Sequence, residues 1–141
     1  MIIDATNLIL GRFAGFAAKQ ALLGEEISVI NCEKAVITGD KNLIVEDYRA
    51  KIRRGVPDRG PHFPRNEEAI VRRTIRGMLP HKQYKGEVAF KRVKCYKGIP
   101  EQFKDKKAET VKNANVDKSS MVNYISVDEL CRLLRGGNYS N

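Results

Sequence analysis

Three arginines, Arg72, Arg73 and Arg76, recur at a spacing that gathers them on one face of a helix. The chemistry open to them is charge-assisted hydrogen bonding, because the planar guanidinium fork matches phosphate oxygens two at a time. They stand in a window, residues 49–97, that holds fifteen Lys or Arg against four acids (Asp58, Glu67, Glu68 and Glu87), a net of +11. Residues 1–48 carry a net of −3 and residues 98–141 a net of +1, within +9 for the whole chain. So local an excess repels itself on a folded surface unless a polyanion neutralises it, and nucleic acid is the strongest candidate.

The usual fate of charges on a helix is a solvated face with surface ion pairs, and Glu68 is placed four residues before Arg72 to make one. No acid is comparably placed for Arg73 or Arg76, while Arg59, Arg65, Lys82 and Lys85 add charge on the flanks. That regional surplus favours phosphate contact. A second candidate is residues 59–65, Arg-Gly-Pro-His-Phe-Pro-Arg, where prolines stiffen the chain and hold Arg59 and Arg65 outward at low entropic cost. His62 or Phe63 is available there to stack on a base; for Phe63 the competing reading is a ring tucked into the core. A third candidate is Lys91, Arg92, Lys94 and Lys97, which either face RNA or only block pairing at a sheet edge.

Other chemistry is poorly supported. His62 and His81 lack a neighbouring cysteine or carboxylate set, so no metal site is expected. Neither residues 4–12 nor residues 38–42 hold a dinucleotide or P-loop glycine pattern, and no cofactor is expected. Asp4, at a strand end, reads as a structural hydrogen-bond acceptor. Cys32, Cys95 and Cys131 have no C-x-x-C spacing, which points to a reduced, cytoplasmic setting, with Cys32 and Cys95 as small core residues. No signal-peptide pattern opens the chain, and no apolar run approaches the ~20 residues of a membrane helix, so no membrane partner is expected.

These residues need a folded body to position them. The 141 residues fit one domain, and 42% apolar content supports an ordinary core, with few aromatics to serve as stacking platforms. Residues 2–5 read as a strand, residues 12–23 as a helix closed by Gly24, and residues 27–32 as a second strand; together they make a right-handed parallel βαβ unit. A second helix is expected over residues 39–54. The clearest helix covers residues 66–79, with Asn66 as cap, Glu67 and Glu68 at the positive end, and Ile70, Val71, Thr74, Ile75 and Met78 on the apolar face. Partial alternation predicts a third strand over residues 88–96. Residues 99–120 read as a polar surface excursion, residues 121–125 as a fourth strand, and Ser126 with Glu129 as the capping box of a last helix.

Taken in register, several of these stretches resemble the archaeal and eukaryotic type of universal large-ribosomal-subunit protein thirteen. The resemblance is carried by residues 4–12 (DATNLILGR), 29–39 (VINCEKAVITG), 59–65 (RGPHFPR), 72–80 (RRTIRGMLP) and 89–92 (AFKR). It runs from about residue 2 to residue 100, with a looser fit beyond; Cys32 replaces a more usual small residue and His81 a common aromatic. The resemblance implies a three-layer α/β/α fold around a mainly parallel four-stranded sheet, in one domain. It implies a structural, non-enzymatic protein of the cytoplasmic ribosome that binds large-subunit ribosomal RNA, touches neighbouring large-subunit proteins and supports subunit assembly. The motif-matched RNA contacts are Arg53, Arg54, Arg59, His62, Arg65, Arg72, Arg73, Arg76, Lys82, Lys85, Lys91, Arg92 and Lys94. No small-molecule substrate is expected. Two other functions are compatible with charge alone: an RNA-modifying α/β enzyme, which needs a cofactor loop or catalytic constellation, and a regulator that binds messenger RNA.

Overall fold

The computed structural model describes residues 1–55, 58, 62–116 and 123–136. The opening βαβ unit forms as the sequence predicts: strand β1 (Ile2–Asp4), helix α1 (Leu10–Leu22) and strand β2 (Ile27–Ile30), with Ile3 level with Val29 in a parallel pair. Helix α1 buries Phe13 and four alanines, Ala14, Ala17, Ala18 and Ala21, so that neighbours approach its backbone closely. Gly24, at φ +104°, ends it in a conformation that other residues rarely adopt. After strand β3 (Val36–Thr38), Asp40 caps helix α2 (Lys41–Arg53) by accepting from the backbone N–H of Asn42 at 2.8 Å. Helices α3 (Glu67–Gly77) and α4 (Tyr84–Lys91) then lead into strand β4 (Val93–Cys95). Strand β5 (Tyr124–Ser126) runs straight into helix α5 (Val127–Arg135), whose cap is Ser126 Oγ accepting from Glu129 N–H at 3.1 Å.

Two sequence expectations are corrected. The parallel sheet has three strands among the described residues, in the order β1-β2-β4, rather than four. The expected fourth strand is β5, displaced slightly along the chain, and it pairs antiparallel with β3 in a separate ribbon, Ile37 opposite Ile125. The turn after β2 explains the split: Asn31 takes a left-handed conformation (φ 56°) and Cys32–Lys34 form a 3-10 turn, which steers β3 away from the sheet. The second correction concerns residues 88–96. Residues up to Lys91 are helical, and only Val93–Cys95 is strand. Over so short a run the partial alternation of Val88, Phe90, Val93 and Cys95 competes with the helical spacing of Gly86, Ala89, Phe90 and Val93, and burial of Gly86 and Ala89 decides for the helix. Gly86 has no alternative there, because a Cβ would collide with the carbonyl group of Pro80.

Ile3, Ile27, Val29 and Val93 are buried on one face of the sheet, against which α1 and α3 pack. The other face carries Ile2, Ser28 and Lys94, partly or wholly exposed, and is overlain by the chain from Tyr96 through the 3-10 turn Glu101–Phe103. Helices α2 and α5 pack on one another beside the β3-β5 ribbon.

Asp4 ties the end of β1 to the turn after β2. Its Oδ1 accepts from Thr6 Oγ1 at 2.6 Å, Thr6 N–H at 3.0 Å and Asn31 Nδ2 at 3.0 Å. Partial burial would raise the carboxyl pKa, but these bonds and the charge of Lys34 outweigh it and hold the group below its ordinary value of 3.8. Its stabilising contribution is therefore complete above that value and disappears as pH falls through the lower, folded-state pKa. Asp4→Ala leaves buried Asn31 and the Thr6 donors unsatisfied. Urea denaturation at neutral pH should show a loss of about 2 kcal/mol, shrinking in strongly acidic buffer.

Candidate nucleic-acid interface

Helix α3 presents the arginines because its opposite stripe, Ile70, Val71 and Ile75, is fully committed to the core. Its first turn is fixed by Glu67, whose side chain is only 2% exposed and accepts from Arg135 at 2.9 Å and Lys97 at 3.4 Å. A carboxylate there also suits the positive end of the helix. The helix is thus clamped to both α5 and the chain after β4.

Each of the first two arginines lies against an aromatic ring. Arg72 Nε donates to the carbonyl of Val93 at 3.2 Å, and its guanidinium carbon is 3.8 Å from the centroid of Phe90. Arg73 lies 4.8 Å over Phe63, which packs edge-on to Tyr48 at 5.5 Å; Lys51 sits 4.8 Å over Tyr48. The ring contacts hold the two arginines without neutralising them, whereas Lys51 also pairs with Asp47 at 3.1 Å. Among the described residues Arg72, Arg73 and Arg76 make no ion pair, and Glu68 does not take up the pairing with Arg72 that its spacing allows. The three arginines, His62, Pro64 and Glu68 border an open groove of about 440 Å³. Through Arg73 it adjoins a second groove of about 370 Å³, lined by Lys51, Arg54 and Phe63. The end of α2, residues 62–64 and the arginine face of α3 therefore form one continuous cationic surface.

The remaining predicted residues differ in where the structure puts them. Arg54 and His62 join this surface, and Arg65 is exposed beside it in sequence with no partner among the described residues. Arg53 is exposed but 3.9 Å from Glu46. Lys82 and Lys85, exposed around the start of α4, line neither groove, and Arg59 lies outside the described residues. Lys91, Arg92 and Lys94 do not share the single strand face that alternation implied: Lys91 ends α4 and pairs with Glu87 at 3.5 Å, Arg92 donates to the carbonyl of Ala21 at 3.0 Å, and only Lys94 projects from β4. Phe63 packs against the core, as the competing reading has it, yet also carries Arg73 on its ring. Sequence reading missed Lys51, Tyr48, Phe90 and Glu67 as positioning residues. The only local signal was aromatic residues scattered through a basic window, and nothing local pairs each ring with its cation.

The surface supplies fixed cations, hydrogen-bond donors and ring faces, the equipment for binding phosphates. Away from this surface, the neighbouring Cys95 thiol and burial push the Cys32 thiol far up, and burial pushes Cys131 to about 12, so both stay protonated. No described helix is long and apolar enough to cross a membrane.

The family profile described as ribosomal protein L13 matches residues 1–102. A protein of Archaeoglobus fulgidus named large ribosomal subunit protein uL13 is 43% identical over 134 residues, 94% of this chain and 86% of the relative. Its namesake in Methanopyrus kandleri is 46% identical over 131 residues, covering 92% of this chain and 82% of the relative. The namesake in Thermoplasma volcanium is 39% identical over 135 residues, covering 96% and 98%.

Proposed function

Because the chain belongs to the ribosomal protein L13 family, we propose that its arginine surface, free of ion pairs among the described residues at Arg72, Arg73 and Arg76, is where it binds large-subunit ribosomal RNA. The protein is a structural constituent of the large ribosomal subunit rather than an enzyme. The observation that carries the RNA assignment is the state of α3: three arginines on one face, two seated on aromatic rings and none neutralised by a described acid. Phosphate oxygens complete such groups, and a ring-seated guanidinium loses little rotamer freedom when it binds. Arg54, His62 and Arg65 extend the contact from the end of α2, with Arg53 at its margin; Arg59 is assigned to the contact from the family motif alone. Lys82 and Lys85 make peripheral phosphate contacts. Selectivity comes from the shape of the RNA and its 2′-hydroxyls more than from base edges. The body also touches neighbouring large-subunit proteins and supports assembly of the subunit in the cytoplasm.

Sucrose-gradient sedimentation of a lysate containing the tagged chain tests this function. The protein should travel with large subunits, and a protein that stays at the top of the gradient removes the ribosomal reading. Binding of the purified chain to large-subunit ribosomal RNA should fall steeply with salt, with a log–log slope of roughly −0.7 to −0.9 per phosphate neutralised. A flat salt response would remove the electrostatic mechanism.

A further inference from the structure

We propose that Cys95 is an oxidisable thiol reached through the groove beside α3, and that peroxide joins it to Cys32 in an intramolecular disulfide the fold accommodates without rearrangement. The two residues are far apart in sequence but converge on one stretch of backbone. Cys95 is level with Val29 in the parallel pairing of β2 and β4. Cys32 opens the 3-10 turn that follows β2, and its Sγ lies 3.7 Å from the carbonyl oxygen of that same Val29. Backbone bonds fix the approach from both sides: Tyr96 N–H donates to the Val29 carbonyl at 2.8 Å, and Cys32 N–H donates to the Tyr96 carbonyl at 3.2 Å. The two thiols are in hydrogen-bonding contact with each other. Their surroundings differ. Cys32 has no exposed surface, whereas Cys95 is half-buried and lines the 440 Å³ groove with Arg72, Arg73 and Arg76. Cys95 is therefore more than the small core residue its strand position implies, and the groove gives a small oxidant a route to its sulfur.

Exposure sets the order of events. The Cys95 sulfur attacks one oxygen of hydrogen peroxide and the O–O bond breaks; that oxygen stays on Cys95 as a sulfenic acid, and the other leaves as water with the thiol proton. The Cys32 sulfur then attacks the Cys95 sulfur. The S–S bond forms, the S–O bond breaks, and hydroxide leaves as a second water with the Cys32 proton. Two thiols have lost two electrons and two protons, and one peroxide has been reduced to two waters. Burial denies Cys32 a reaction with outside reagents, so it acts only as the resolving thiol, and its fixed contact with Cys95 makes that step intramolecular. Cys131 is fully buried on α5 and takes no part. The bridge closes a long loop that holds α2, α3 and α4, which constrains the unfolded chain and so stabilises the native one. A disulfide formed on exposure to oxidant and reversed by thiols is compatible with a reducing compartment.

Treatment of the reduced, purified chain with hydrogen peroxide, then alkylation in denaturant and peptide mapping without reductant, tests this. The unmodified chain should give one linked pair, Cys32 with Cys95, in a monomer two hydrogens lighter than before, with Cys131 alkylated. Its Tm should rise by roughly 5–10 °C and return to the starting value with dithiothreitol. Cys32→Ala should leave Cys95 as a sulfenic acid that dimedone traps, with no rise in Tm. Cys95→Ala should leave Cys32 fully alkylated, because no oxidant reaches it. Should either variant fail to fold, judged by circular dichroism, the map of the unmodified chain decides alone. Cys95 oxidised while Cys32 stays a free thiol overturns the proposal, as does a link to Cys131, a link only between two chains, or no oxidation of Cys95. A Cys32–Cys95 link that leaves Tm unchanged or lower overturns the claim that the native fold accommodates the bridge.

Discussion

Replacing Arg72, Arg73 and Arg76 together with alanine is expected to weaken binding to large-subunit ribosomal RNA on the order of a hundredfold at moderate salt. Charge-assisted hydrogen bonds are worth about 1.5–3 kcal/mol each, and non-additivity among neighbours brings three of them to roughly 3 kcal/mol. The log–log salt slope should flatten by about two to three units, one for each phosphate no longer neutralised. Filter binding across a salt series measures both quantities. Unchanged affinity would remove α3 from the interface. The triple variant also costs some stability, because Arg72 bonds to the Val93 carbonyl and covers Phe90. Arg73→Ala/Arg76→Ala leaves that contact intact and isolates the binding effect; it should keep the native melting profile by circular dichroism while showing most of the flattening in salt slope.

The second large effect falls on Glu67. Glu67→Ala strips two cations of a carboxylate that is almost wholly buried, and leaves space where the side chain packed. Breaking a buried ion pair costs about 3–5 kcal/mol, but the Lys97 and Arg135 side chains are 51% and 41% exposed and regain water, so the lower end applies. A loss of about 3 kcal/mol corresponds to a fall in Tm of roughly 8 °C for a chain of this size, readable by thermal melting. Arg135→Ala should cost less, since Lys97 still pairs with the carboxylate. Melting of Glu67→Ala at the native temperature would show that the clamp on α3 lies elsewhere. RNA affinity should fall with the clamp, because Glu67 opens the same helix that carries the three arginines.

The fold was legible wherever a local signal sufficed. Gly24 and Ser126 bound their helices as residue chemistry requires, whereas Asn66 opens α3 without a side-chain cap bond, and the apolar stripe of Ile70, Val71 and Ile75 set the orientation of α3. Asp4 was identifiable as a hydrogen-bonding residue from its place at a strand end, although its partner Asn31 was not. The reading failed where two periods fit one short run, at α4, and where a turn chose between two sheets, at β3 and β5.

The sequence by itself determined that a net of +11 is confined to one window, that three arginines share a helical face, and, through motifs in order, which family the chain joins. Those facts depend on composition, on local period and on identity along the chain. The tertiary structure alone decided what each charge meets. Arg72 is tied to Val93, 21 residues away, and Glu67 to Arg135, 68 residues away, while Lys94 and Cys95 sit adjacent in sequence on opposite sides of a sheet edge. The reason is physical: a charge excess is a sum over residues, whereas a cation's partner and the direction it faces are set by packing between segments that no local pattern connects.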